Sequence, residues 1–126
     1  MPHIIIEHKT HRDVGPLTKA LHEAAKSLEA LPVGGLRTRD YPCDNALIGD
    51  GTADFEFCYV TVRLGAGRSD EVKQEIGDTL FAVLTNWAEP TYAENQPLSL
   101  GLEIQDIAPG STWKKNNIHQ ILKDRT

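Results

Sequence analysis

Pro2, Arg37, Arg39 and Arg68 are the residues whose types and placing could move a proton on an acidic substrate. Once Met1 is removed, the Pro2 nitrogen is a free secondary amine on a rigid ring, and such a group can act as a general base. With Met1 attached, that nitrogen is a tertiary amide without basicity, so the chemistry depends on this cleavage. A free amine is largely protonated at neutral pH. Burial in a dry pocket disfavours the ammonium form, and neighbouring guanidinium groups disfavour it further. Each tenfold gain in free base requires about 1.4 kcal/mol of such destabilisation. A base brought near neutrality is where general-base catalysis is most effective. The same arginines can hold substrate carboxylates in bidentate pairs. A bland reading stands beside this one. Prolines are common, and an arginine after a glycine-rich turn is ordinarily solvated, so these residues alone leave both readings open.

Other constellations carry less. His8-x-x-His11 has a spacing that can place two metal ligands together on a helix. Here it straddles the end of a strand beside Lys9 and Arg12, and the pair reads as ordinary surface histidines. His3, His22 and His119 add no recognisable ligand pattern. Gly65-x-Gly67 before a helix could cradle an anion on backbone amides. It lacks the third glycine of a dinucleotide fingerprint and the Lys-Ser/Thr of a phosphate loop, which leaves a carboxylate docked near Arg68 as its use. Cys43 and Cys58 form no C-x-x-C pair and read as reduced thiols.

These residues must be positioned by elements that can be read from periodicity. Residues 3–8 form a short, largely buried strand rich in isoleucine. Asp13 is the expected N-cap of a first helix, whose apolar stripe is Leu17, Leu21, Ala24 and Leu28, with Pro32 and Gly34-Gly35 stopping it. Leu36 to Tyr41 is extended and sets Arg37 and Arg39 on one side. Residues 44–53 are a connection, and Phe55 to Leu64 is the strongest strand. Gly65 to Arg68 turns into a second helix capped by Ser69, with Asp70 and Glu71 on its positive end. Its stripe is Val72, Ile76, Leu80, Val83, Leu84 and Trp87. Pro90 and Pro97 bracket a loop, and Leu98 to Ile107 is a last strand. The segment from Trp113 onward is short and polar, with Ile118, Ile121 and Leu122 available for packing.

The order is thus β-α-β twice, a crude internal repeat of architecture without sequence identity. Each unit crosses over right-handed and makes parallel neighbours. The expected fold class is α+β: one domain over residues 1–126, with a four-stranded mixed sheet and two helices on one face. The uncovered face calls for an oligomer.

Composition sets outer bounds. The chain has 126 residues, one domain's worth, and a net charge of -5, which disfavours nucleic acid as a bulk partner. A few arginines focused in a cleft can still attract an anion locally. No apolar run approaches the roughly 18 residues of a membrane span, and no secretory signal is legible, so the expected location is cytoplasmic, away from membranes.

Taken together, several stretches resemble the 5-carboxymethyl-2-hydroxymuconate Δ-isomerase family, the long-chain branch of the amino-terminal-proline tautomerases. They are Met1-Pro2-His3 leading into an isoleucine-rich strand, Gly35-Leu36-Arg37-Thr38-Arg39, Leu64-Gly65-Ala66-Gly67-Arg68-Ser69, and Trp113 to His119. The resemblance runs from Pro2 to about Leu122. It implies a homotrimer, no cofactor, and Pro2 as catalytic base and acid. It puts Arg37 and Arg68 at substrate-carboxylate positions, with Arg39 in second rank, and leaves the roles of Asn116 and His119 open. The implied substrate is a small polycarboxylate from homoprotocatechuate breakdown. Two other readings stand beside it: a tautomerase of another 2-hydroxymuconate or phenylpyruvate-like acid, and a non-enzymatic oligomeric module that binds a small acid.

Overall fold

Period-two alternation in the first strand buries Ile4, Ile6 and His8 on one side and leaves His3, Ile5 and Glu7 on the other. That pattern continues across a sheet in the computed structural model of the chain, which describes residues 2–125. Met1, on whose removal the proline chemistry depends, lies outside the described residues. The strands are β1 (His3–Lys9), β2 (Arg37–Pro42), β3 (Glu56–Gly65) and β4 (Leu98–Ile107), arranged in the order β2-β1-β3-β4. β1 pairs parallel with β2, β3 pairs parallel with β4, and the two units meet antiparallel at β1 and β3. This is the four-stranded mixed sheet expected from the repeat.

Helices α1 (Gly15–Lys26) and α2 (Asp70–Ala93) pack on one face of the sheet. Leu17, Leu21 and Ala25 of α1 and Ile76, Leu80 and Leu84 of α2 meet Ile4, Ile6, Cys58, Val60, Val62 and Leu64 in one buried core. Burying a side chain of this size contributes roughly 1.5–3 kcal/mol. The core is therefore what sets the two units against each other. No described helix is long and apolar enough to cross a membrane.

Several boundaries differ from the sequence reading. The N-cap of α1 is Val14, not Asp13. Asp13 still serves the entry, because its carboxylate accepts the amide of Gly15, the first helical residue, at 2.9 Å. The helix ends at Lys26, before Pro32, because Ser27 and Leu28 hand their amides to Ala24 and Ala25 in a tightened turn. The inward stripe uses Ala25 rather than Ala24. Pro90 does not open a loop; it lies inside α2. The helix continues because Ala88 and Thr91 are buried, and it closes on Asn95, five residues after Pro90. That residue sits at φ 56°, and Gln96 N–H bonds Thr91 O at 3.0 Å, a Schellman-type end. The polar tail also folds, as α3 (Ile118–Asp124), and docks on a 3₁₀ turn at Val33–Gly35.

The uncovered sheet face is not a plain Ile and Leu surface. It carries Arg37 and Arg63 on either side of His3 at one end, Arg39, Ile5, Thr61 and Glu103 across the middle, and Glu7 with Tyr59 toward the other. Tyr59 lies flat over Gly101, where a Cβ would come within 2.5 Å of its ring, and its hydroxyl donates to Glu103.

Candidate active site

The parallel pairing of β1 and β2 brings two candidates together by backbone register. His3 stands beside Arg37 and Ile5 beside Arg39. The Arg37 amide donates to Pro2 O at 3.1 Å, so the chain start is clamped to the start of β2. Pro2 itself is fully buried. The Arg37 guanidinium is half-buried and folds back on its own strand entry, with Nη1 donating to Gly35 O at 2.7 Å.

Arg39 joins the same corner through His3. Its Nη1 lies 3.1 Å from His3 Nδ1, and its Nε donates to the Tyr41 hydroxyl at 3.1 Å. A guanidinium can only donate, so His3 Nδ1 accepts and that nitrogen carries no proton. Burial lowers the His3 pKa from its ordinary 6.5, and the charges of Arg39, Arg37 and Arg63 lower it further. The antiparallel register sets Arg63 directly opposite His3. His3 thus reports a positive field at the corner where Pro2 sits.

Arg68 is placed differently. Its Nε and Nη2 donate to Ala30 O at 3.2 and 2.7 Å, and its Nη1 donates to Gly65 O at 2.9 Å. The side chain ties the segment after α1 to the β3–α2 turn. Three of its five N–H groups are engaged, which leaves two for a ligand. Gly65 is the link to the rest, because it lines the same cavity as His3.

That cavity, about 340 Å³, opens at the end of the sheet and is bounded by His3, Gly65, Ala66, Ile107, Thr112 and Lys114 among others. A second, about 320 Å³, is bounded by Pro32, Gly35, Lys114, Asn116 and His119. The tail builds the second cavity. Asn116 Nδ2 donates to Gly34 O at 2.9 Å. The His119 ring lies so close over Gly34 that a Cβ there would meet it at 2.3 Å. Both cavities flank the Pro2–Arg37 corner, one through His3 and the other through Gly35.

The sequence reading named Pro2, Arg37 and Arg39, and these meet at one corner, with Arg68 reaching its rim through Gly65. It did not name His3, Arg63 or Lys114. The signal for His3 and Arg63 was there in the alternation of β1 and β3, but their pairing across an antiparallel ladder is not legible from either segment alone.

The rejected metal pair stays apart. His8 is not a surface residue: it is buried, with Nε2 3.0 Å from Asp40 Oδ1, while His11 turns outward to Asp54. Among the described residues no group of three metal-ligating side chains occurs. Cys58 is buried, and burial first, then the Asp40 charge, push its thiol up to about 12, so it is protonated at neutral pH.

The family model of 5-carboxymethyl-2-hydroxymuconate isomerase matches residues 2–122. The chain is 30% identical over 128 residues to the 5-carboxymethyl-2-hydroxymuconate Delta-isomerase of Escherichia coli, covering 98% of this chain and 100% of the relative. Its structure is similar to the crystal structure of a 5-carboxymethyl-2-hydroxymuconate isomerase from Deinococcus radiodurans R1. There the TM-score is 0.88 at 35% identity, over 96% of this chain and 93% of the other. A more distant likeness, to a fused 4-OT symmetric trimer, has a TM-score of 0.61 at 19% identity, over 90% of this chain and 93% of the other, and shows the shared fold alone. The match begins at Pro2 and runs through the arginine strands and the tail that together form the corner, and the chain belongs to the 5-carboxymethyl-2-hydroxymuconate isomerase family.

Proposed function

We propose that this protein is a cofactor-independent isomerase that shifts a proton within 5-carboxymethyl-2-hydroxymuconate, a step of homoprotocatechuate breakdown. The observation that carries the reading is a buried Pro2 clamped to Arg37 at a corner where burial first, and then the charges of Arg39, Arg37 and Arg63, lower the pKa of the adjoining His3. As the mature N-terminal residue, Pro2 takes the proton of the 2-hydroxyl of the dienol. The electron pair moves through the conjugated system, the C2–O bond becomes a carbonyl, and the Pro2 ammonium returns a proton to C5. Atoms and charge balance within one substrate.

Arg37 and Arg68 hold carboxylates and stabilise the negative charge that spreads over the conjugated chain. Arg39 acts beside them by keeping His3 as an acceptor. Fixing the substrate against the base lowers the entropic part of the barrier. Three copies of the chain assemble as a homotrimer, a reading favoured by the mixed polar and aromatic open sheet face and by exposed Trp113.

The decisive experiment is Pro2→Ala with the mass of the intact purified protein measured alongside. The wild type should lack Met1. The variant retains a primary amine, so its turnover should fall by about 10²–10⁴-fold, the contribution of a positioned general base. Unchanged turnover in Pro2→Ala, or an active wild type still carrying Met1, would refute the role of Pro2.

A further inference from the structure

The two cavities beside the Pro2–Arg37 corner have one lining residue in common, Lys114. It makes no hydrogen bond or ion pair among the described residues, in contrast to the arginines around it. Arg37 is held by Gly35 O, Arg39 by His3 and Tyr41, and Arg68 by Ala30 O and Gly65 O. The backbone that carries Lys114 is not free to drift, because two residues later Asn116 holds Gly34 O. The neighbouring Lys115 lines neither cavity.

A 5-carboxymethyl-2-hydroxymuconate has three carboxylates: two end the muconate skeleton and one ends the carboxymethyl arm. Two arginines account for two of them. The third is on a short flexible branch, which a compact ammonium on a flexible stem can follow better than a rigid guanidinium fork.

We propose that Lys114 receives the third carboxylate of the substrate and sets the preference for a tricarboxylate over a dicarboxylate. The inference rests on the isomerase reading above and adds a specificity-determining residue to it.

The test compares kcat/KM for the tricarboxylate with kcat/KM for 2-hydroxymuconate, which lacks the carboxymethyl arm, at fixed ionic strength. Lys114→Ala should lower the ratio by about ten- to a hundredfold, the loss of one charge-assisted hydrogen bond, mostly through KM of the tricarboxylate. Lys114→Arg should recover most of it. Lys115→Ala should leave the ratio at the wild-type value. An unchanged ratio in Lys114→Ala, or an equal change in Lys115→Ala, would overturn the assignment while leaving the isomerase reading intact. A wild type that turns over neither acid removes that reading and the assignment with it.

Discussion

At the start of β1, buried Pro2 leads into His3, which has Arg37 and Arg63 on either side in the sheet register and the Arg39 guanidinium on its Nδ1. Like charges nearby make every further positive charge costly, and an ammonium on Pro2 is one such charge. On the proposed mechanism the free amine is the active form, so kcat/KM should fall as pH drops through the amine pKa. Removing a guanidinium stabilises the ammonium and raises that pKa. Arg37→Ala should therefore move the acid limb of the kcat/KM profile to higher pH, in addition to lowering the plateau by about ten- to a hundredfold through a lost carboxylate contact. A lowered plateau with an unmoved limb would leave Arg37 as a binding group only. Arg37 and Arg39 were legible as a pair from strand alternation. That Arg68 is bonded to two backbone carbonyls was not, because Ala30 and Gly65 are brought together only by the packing of α1 against the sheet.

The tail is the element whose part the sequence hid most. Trp113 to Arg125 offers only one turn of apolar spacing, Ile118, Ile121 and Leu122, too short to announce a helix, and α3 buries no residue fully. What holds it is polar and close-range: the Asn116 bond to Gly34 O, and the His119 ring in the space that a side chain at residue 34 would fill. Gly34→Ala should push the ring out, loosen the tail and open the second cavity. The expected result is a raised KM with a modest loss of thermal stability, and adding His119→Ala to that variant should recover stability by removing the clash. A double variant no more stable than Gly34→Ala would show that the ring is not what the new methyl meets. Pro90 was misread for a related reason. Local propensity ends a helix at an interior proline, but buried Ala88 and Thr91 and the turn at Asn95 carry α2 past it. The strands and the two long helices were legible because their apolar periodicity is strong, and the Ser69 cap was found where expected, accepting Val72 N–H at 3.2 Å.

On the scale of the whole molecule, the helix-covered face is a closed apolar layer, and the opposite face is open and carries charges of both signs. Arg37 and Arg63 stand at the Pro2 end, Arg39 and Glu103 share the middle row on opposite edges, and Glu7 lies beyond them, so association across this face is polar. Sedimentation equilibrium should give a mass near three times the 13.9 kDa chain. A single-chain mass at micromolar concentration would remove the trimer. That one sheet face would be left without helices was legible from the repeat, while the placing of its charges required the register.

The two β-α-β units also give the sheet two like corners, one at each end of the central antiparallel pair. At one, β1 begins with Pro2 and His3 beside Arg37. At the other, β3 begins with Glu56, whose carboxylate accepts from the Thr10 hydroxyl and, at 2.9 Å, from the His11 amide. On the proposed mechanism one corner serves the reaction, while its twin anchors the entry to the first helix. The repeat of architecture thereby puts the anchoring contacts of Glu56 at the opposite end of the β1–β3 pair from Pro2, so that the two ends of one ladder carry different duties.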